Sequence, residues 1–110
     1  MKSRIVVRQQ VHDFLVALAP EPRRRLWAGI KGLPMGKGDV LQLEGKLARY
    51  FRLRVGKIRI VFAETSVAGE RVLVCFFAEY RATVYKTLSQ LIASDLLREL
   101  SEQNEGGSRQ

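Results

Sequence analysis

The apolar positions of this chain change their period several times, and each change marks an element. Ile5, Val6 and Val7 form a short β-branched run between Arg4 and Arg8, which predicts a strand. Val11, Phe14, Leu15 and Leu18 then recur at i, i+3, i+4 and i+7, one face of an amphipathic helix. Pro20 and Pro22 end it, and Pro22 suits the first turn of a second helix that carries Leu26, Ile30 and Leu33 inward, with Trp27 at its flank. The two predict a helical hairpin. Gly32, Pro34, Gly36, Gly38 and Gly45 mark a loop with a short extended piece at Val40-Leu41. Gly36-Lys37-Gly38 lacks the spacing of a phosphate-binding P-loop.

From Arg49 the period becomes two. Phe51, Leu53 and Val55 point one way, and Tyr50, Arg52 and Arg54 the other. Gly56-Lys57 reads as a tight turn. The next strand sends Ile58, Ile60 and Phe62 inward and leaves Lys57, Arg59 and Val61 on the other side. A polar loop is expected around Ser66 to Glu70. Arg71 to Ala78 is a nearly continuous apolar run, hence a central strand covered on much of both faces. Val84, Leu88, Leu91 and Leu96, with Ile92 beside them, predict a C-terminal helix capped by Thr83. The expected fold is α+β: an N-terminal strand and a helical hairpin packed on an antiparallel sheet of about four strands, followed by a C-terminal helix. Residues 1–100 make one domain, and the polar, Gly-containing residues 101–110 are expected to be a disordered tail.

Charge changes this picture. Nineteen Lys and Arg against eleven Asp and Glu leave +8 over 110 residues, an excess that points to a polyanionic partner. The excess is also placed. Residues 46–59 hold Lys46, Arg49, Arg52, Arg54, Lys57 and Arg59 and no acid. Alternation puts Arg52, Arg54 and Arg59 on the face opposite the helices, where each close pair repels by about 1 kcal/mol at 4 Å in water. A phosphate chain would remove that repulsion, because guanidinium groups bind phosphate bidentately; screening by Glu64 or Glu79 is the alternative. Arg23, Arg24 and Arg25 fall in the first turn of the second helix, against its dipole, which mildly favours a partner there. Cys75, the only cysteine, sits in an apolar run and reads as core. His12, the only histidine, reads as a surface residue, so no histidine-based mechanism is expected. No leader and no apolar stretch near membrane length are evident, the pattern of a soluble cytoplasmic protein.

Several of these residues together resemble a known family. Leu43-Glu44-Gly45, then Tyr50-Phe51-Arg52-Leu53-Arg54-Val55-Gly56, Ile58-Arg59-Ile60-Val61-Phe62, an apolar strand, and Tyr80-Arg81-Ala82-Thr83-Val84-Tyr85 resemble the RelE/ParE toxins of bacterial type II toxin–antitoxin modules, over residues 1 to about 92. The resemblance implies a RelE-like fold and, for RelE-like members, a ribosome-dependent mRNA endoribonuclease that inhibits translation. It implies attack of a ribose 2′-OH on the adjacent phosphodiester without metal or other cofactor. By position it implies catalytic roles for Arg59, Arg81 and Tyr85, and phosphate or RNA binding by Arg52, Arg54, Lys46, Arg49 and Lys57. Implied partners are an acidic antitoxin, the ribosome and mRNA, with no membrane; a dimer or a toxin–antitoxin hetero-oligomer is a further possibility. The other branch implies a ParE-like DNA gyrase inhibitor, and a catalytically inactive RNA-binding homologue is a third reading. Arginine stays protonated and cannot serve as a base. Tyr85 is therefore the residue for proton transfer, or alternatively for stacking on a base. Glu79 would hold Arg81 or partly quench the site.

Overall fold

In a computed structural model, which describes residues 3–80, the chain runs β1 (Ser3–Val7), α1 (Gln9–Ala17), α2 (Pro20–Gly32), β2 (Asp39–Gln42), β3 (Phe51–Val55), β4 (Ile58–Val67) and β5 (Glu70–Tyr80). Single 3-10 turns precede β2, at Leu33–Met35, and β3, at Gly45–Leu47. The strands form one sheet in the order β1-β5-β4-β3-β2. The expected meander β3-β4-β5 is present and antiparallel. Two expectations need correction. The sheet has five strands rather than four, because the piece at Val40-Leu41 is a paired strand. It is mixed rather than antiparallel, because β1 lies parallel to β5. The predicted C-terminal helix, Thr83 as its cap and the tail lie outside the described residues.

Both hairpin turns follow from sterics. Val55 pairs with Ile58, leaving Gly56-Lys57 as the loop with Gly56 at φ +60°, the glycine-first type II′ pattern that matches strand twist. The expected polar loop at 66–70 is instead strand up to Val67, closed by Ala68-Gly69 alone. Both of those residues have positive φ, Ala68 at +52°. That is the type I′ pattern, which usually takes Asn or Gly at the first position.

The helical hairpin covers one sheet face. Val11, Leu15, Leu26 and Ile30 meet Leu53, Ile58, Ile60, Phe62, Leu73 and Cys75 in the main core, the face predicted from alternation. α2 approaches β3 closely: a Cβ on Gly29 would sit 2.9 Å from Val55 Cγ2. The opposite face carries a second, smaller core of Leu43, Tyr50, Val61, Ala63, Val72, Val74, Phe76 and Phe77. β5 is therefore buried on both faces from Val72 to Ala78, as the unbroken apolar run predicts.

A bulge in β5 governs which side each residue takes. Phe62 pairs with Cys75, but Val61 pairs with Phe77, so Phe76 is the extra residue. Phe76 and Phe77 both join the second core, and from there the alternation is inverted. Ala78 returns to the helix side. Tyr80 packs its ring on Phe14 of α1 at 5.3 Å between centroids.

β1 ends before β5 does, and a side chain completes the edge. Gln10 Nε2 donates to the Ala78 carbonyl while the Ala78 N–H donates to Gln10 Oε1, both at 2.8 Å. The amide thus acts as one more peptide unit of β1. Arg23 closes another backbone end. Its guanidinium donates to the carbonyls of Leu15 at 3.2 Å and Leu18 at 2.7 Å, and reaches that of Val16 at 3.4 Å, capping the C-terminus of α1. Its place in the first turn of α2, unfavourable to that helix's dipole, is set by the dipole of α1.

Two stability predictions follow. Gln10→Ala leaves both polar groups of Ala78 without partners in a part-buried position and should lower unfolding free energy by about 2 kcal/mol in a urea titration. Ala68→Asn or Ala68→Gly relieves the left-handed backbone and should raise it by about 1 kcal/mol, with the melting temperature rising in step.

Candidate phosphate-binding face

The arginines predicted to share a face do share it, near the β3–β4 turn. Register fixes their neighbours. Asp39 on β2 pairs with Arg54 on β3, Arg54 with Arg59 on β4, and Arg59 with Glu79 on β5. One row across four strands thus reads acid, arginine, arginine, acid. Cβ atoms of directly opposed residues lie about 5 Å apart, so the central pair of like charges is unfavourable by itself and each is offset by the acid on its outer side.

The next row decides the setting of Arg52. It lies between Leu41 and Val61, and Val61 in turn pairs with Phe77. Arg52 is consequently only 11% exposed, against 52% for Arg54. Asp39 serves both: Arg54 Nε donates to one carboxylate oxygen at 2.6 Å, and Arg52 Nη2 reaches the other at 3.4 Å. Arg52 Nε is buried without an acceptor, so this guanidinium is the least satisfied of the group. Arg59 is buried at 7% exposure and donates through Nη1 to the carbonyls of Gly56 and Ile58 at 2.9 and 3.2 Å. That bonding ties its guanidinium to the hairpin turn.

The sequence offered Glu64 or Glu79 as the acid that would screen this face; Glu79 does lie across from Arg59, but Arg52 and Arg54 meet a different acid. The screening carboxylate is Asp39, from a strand the sequence marked only faintly at Val40-Leu41. Glu64 is engaged elsewhere: Arg71 Nε donates to it at 2.8 Å, and that bond raises the arginine's already high pKa. The other basic candidates spread out. Lys46 lies exposed in the 3-10 turn before β3, Arg49 is exposed beside Tyr50, and Lys57 is exposed at the tip of the β3–β4 turn. Arg81 and Tyr85 lie outside the described residues; Arg81 follows directly on Tyr80, the last residue of β5.

The remaining titratable groups near the sheet are structural. Tyr50 belongs to the second core, where burial pushes its phenol pKa up against the opposing effect of Arg49. It packs edge-on against Phe76, whose ring also receives the Arg8 guanidinium at 5.5 Å. Cys75 is buried and its thiol is pushed up to about 12, so it carries no nucleophile at neutral pH. His12 is exposed on α1 beside Asp13, away from the arginine rows.

The arrangement is suited to holding a phosphodiester by electrostatics. A phosphate oxygen can take the place of the carboxylate oxygen on Arg54 Nε, and Arg52 Nη2 becomes available to it if Asp39 yields. Asp39→Asn keeps the shape and removes the charge. It should destabilise the protein by about 1 kcal/mol at low ionic strength, since Arg52 and the Arg54–Arg59 pair lose their counterion. The loss should shrink in high salt, as urea titrations at two ionic strengths would show.

Comparison with known proteins places this geometry in a fold. No family model matches the sequence, and no curated protein matches it. Solved structures do. The chain superposes on the YoeB/ParE toxin from Agrobacterium tumefaciens with a TM-score of 0.59 at 19% identity, covering 74% of this chain and 99% of that one. A chain of the toxin–antitoxin complex RelBE2 from Mycobacterium tuberculosis gives 0.56 at 18% identity, covering 74% and 100%. The archaeal RelE–RelB complex from Pyrococcus horikoshii OT3 gives 0.53 at 23%, covering 74% and 97%. Nearly the whole of each of these chains is matched, and the fold of this protein is that of the RelE and YoeB/ParE toxins.

Proposed function

We propose that this protein is the toxin of a type II toxin–antitoxin module and that it acts as a ribosome-dependent mRNA endoribonuclease. The observation that carries the reading is the convergence of Arg52, Arg54 and Arg59 on one sheet face beside the end of β5, in a fold found in RelE and YoeB toxins. In this reading the 2′-OH of a ribose attacks its own 3′ phosphodiester. The new P–O bond gives a 2′,3′-cyclic phosphate, and the departing 5′ oxygen takes up a proton. Negative charge builds on the phosphorane-like state, and Arg59, tied to the turn before substrate arrives, supplies fixed positive charge to it. Arg54, the more accessible of the Asp39 pair, grips the phosphate, and Arg52 joins as Asp39 is displaced. Arg81 adds a further cation, and Tyr85 transfers a proton or stacks on a base. Lys46, Arg49 and Lys57 extend the contact to flanking phosphates or ribosomal RNA. An acidic antitoxin is the matching partner, since it would neutralise the same face.

One observation favours a second reading. Asp39 already balances Arg54 and touches Arg52, which suits a face built for a protein target, as in a ParE-like inhibitor of DNA gyrase. Induced expression separates the two. The nuclease reading expects arrested translation with mRNA cut in the ribosomal A site. Arg59→Ala should lower the cleavage rate by about 100-fold, with thermal melting used to verify that the variant folds. Arg54→Ala should weaken binding to single-stranded RNA and flatten the slope of log affinity against log salt by about 0.7. Intact mRNA together with a DNA-damage response would instead establish the gyrase reading.

A further inference from the structure

The turn that carries Lys57 joins the arginine face to a cavity on the helix side of the sheet. The cavity is about 440 Å³, within the range of small-ligand sites. α2 supplies Pro22 and Arg25, the β3–β4 hairpin supplies Val55, Lys57 and Ile58, and Tyr80 comes from the end of β5. The two sides are mechanically linked. Arg59 Nη1 donates to the carbonyls of Gly56 and Ile58, and both of those residues line the cavity.

The lining has a definite chemistry. Arg25 and Lys57 give it two cations, and no acidic side chain lines it among the described residues. Val55, Ile58 and Pro22 give it an apolar wall. Tyr80 is 49% exposed, with its ring braced by Phe14, so an aromatic surface is held in place and left accessible. Two cations beside an apolar wall and a braced aromatic ring fit a ligand with both an anionic group and a flat ring, which is a nucleotide.

We propose that this cavity is a nucleotide subsite. It takes one residue of a single-stranded RNA whose neighbouring phosphodiester lies on the arginine face. The base stacks at Tyr80 against the apolar wall, and the phosphate is held by Arg25 and Lys57. The proposal rests on the reading of the arginine face as an RNA site. A strand crossing from one side to the other passes over the Gly56-Lys57 turn and meets Lys57 on the way, which favours RNA over an acidic protein segment here.

The test compares single substitutions in the full-length protein by fluorescence titration with a labelled single-stranded oligoribonucleotide. Arg25→Glu and Tyr80→Ala should each weaken binding about tenfold, and Tyr80→Phe should retain it, since the ring is what stacks. Arg24→Glu is the control: it makes the same charge change on the same helix, and Arg24 does not line this cavity. It should cost no more than about threefold, through the general field alone. Equal losses for Arg24→Glu and Arg25→Glu, or unchanged binding by Tyr80→Ala, would overturn the subsite. Arg54→Ala in the same titration tells the two ideas apart. If it weakens binding while the cavity variants behave like the control, the arginine face stands and the subsite fails. If neither set affects binding, or the wild type does not bind, both fail. If the cavity variants instead abolish only co-purification with the cognate antitoxin, the cavity is a protein-docking site and the nucleotide assignment is wrong.

Discussion

A single extra residue in β5 orders both faces of this sheet. β5 is buried on both sides, so each of its residues is assigned to one core or the other by parity. The bulge at Phe76 reverses that parity before the strand ends. Without it, Glu79 would point toward the helices and Tyr80 toward the arginines. With it, Glu79 faces Arg59, and Tyr80 packs on Phe14 at the mouth of the cavity beside the turn. Bulges re-aim side chains in this way. The same end of β5 has lost β1 as its neighbour, and the Gln10 amide completes its ladder there. The end of β5 is thereby held from both sides: by β4 through the register that follows the bulge, and by α1 through one side-chain amide.

Electrostatics on the arginine face is a problem in register rather than in composition. The chain carries a large positive excess, yet the row across β2 to β5 is balanced, with Asp39 and Glu79 outside Arg54 and Arg59. Arg52 stands in an apolar row and is left with a buried Nε that has no acceptor. Burial of a cation without full pairing is costly. Asp39 screens this face in part, meeting both Arg52 and Arg54.

Other charges that looked available for a partner are spent within the fold. Arg23 caps α1, and Arg71 bonds Glu64 and the Pro34 carbonyl. Arg8 lies over Phe76, and Lys31 lies over Trp27. Such uses are local and structural.

The sequence by itself determined the local elements: the helical hairpin from its 3.6-residue period and prolines, β3 and β4 from strict alternation around Gly56-Lys57, and β5 from an unbroken apolar run. It also determined the common face of Arg52, Arg54 and Arg59, because parity within a strand and across a two-residue turn is a local property. Only the tertiary structure decided the rest. β2 carries few signals of its own and exists by pairing with β3, so the partnership of Asp39 with Arg54 could not be read beforehand. The parallel placement of β1 depends on contacts some 68 residues apart in the chain, of the kind Gln10 makes with Ala78. The bulge was invisible because an apolar run buried on both faces has no alternation to lose. Which residue faces which charge across a sheet is settled by pairing between distant segments, and pairing is a property of the folded chain.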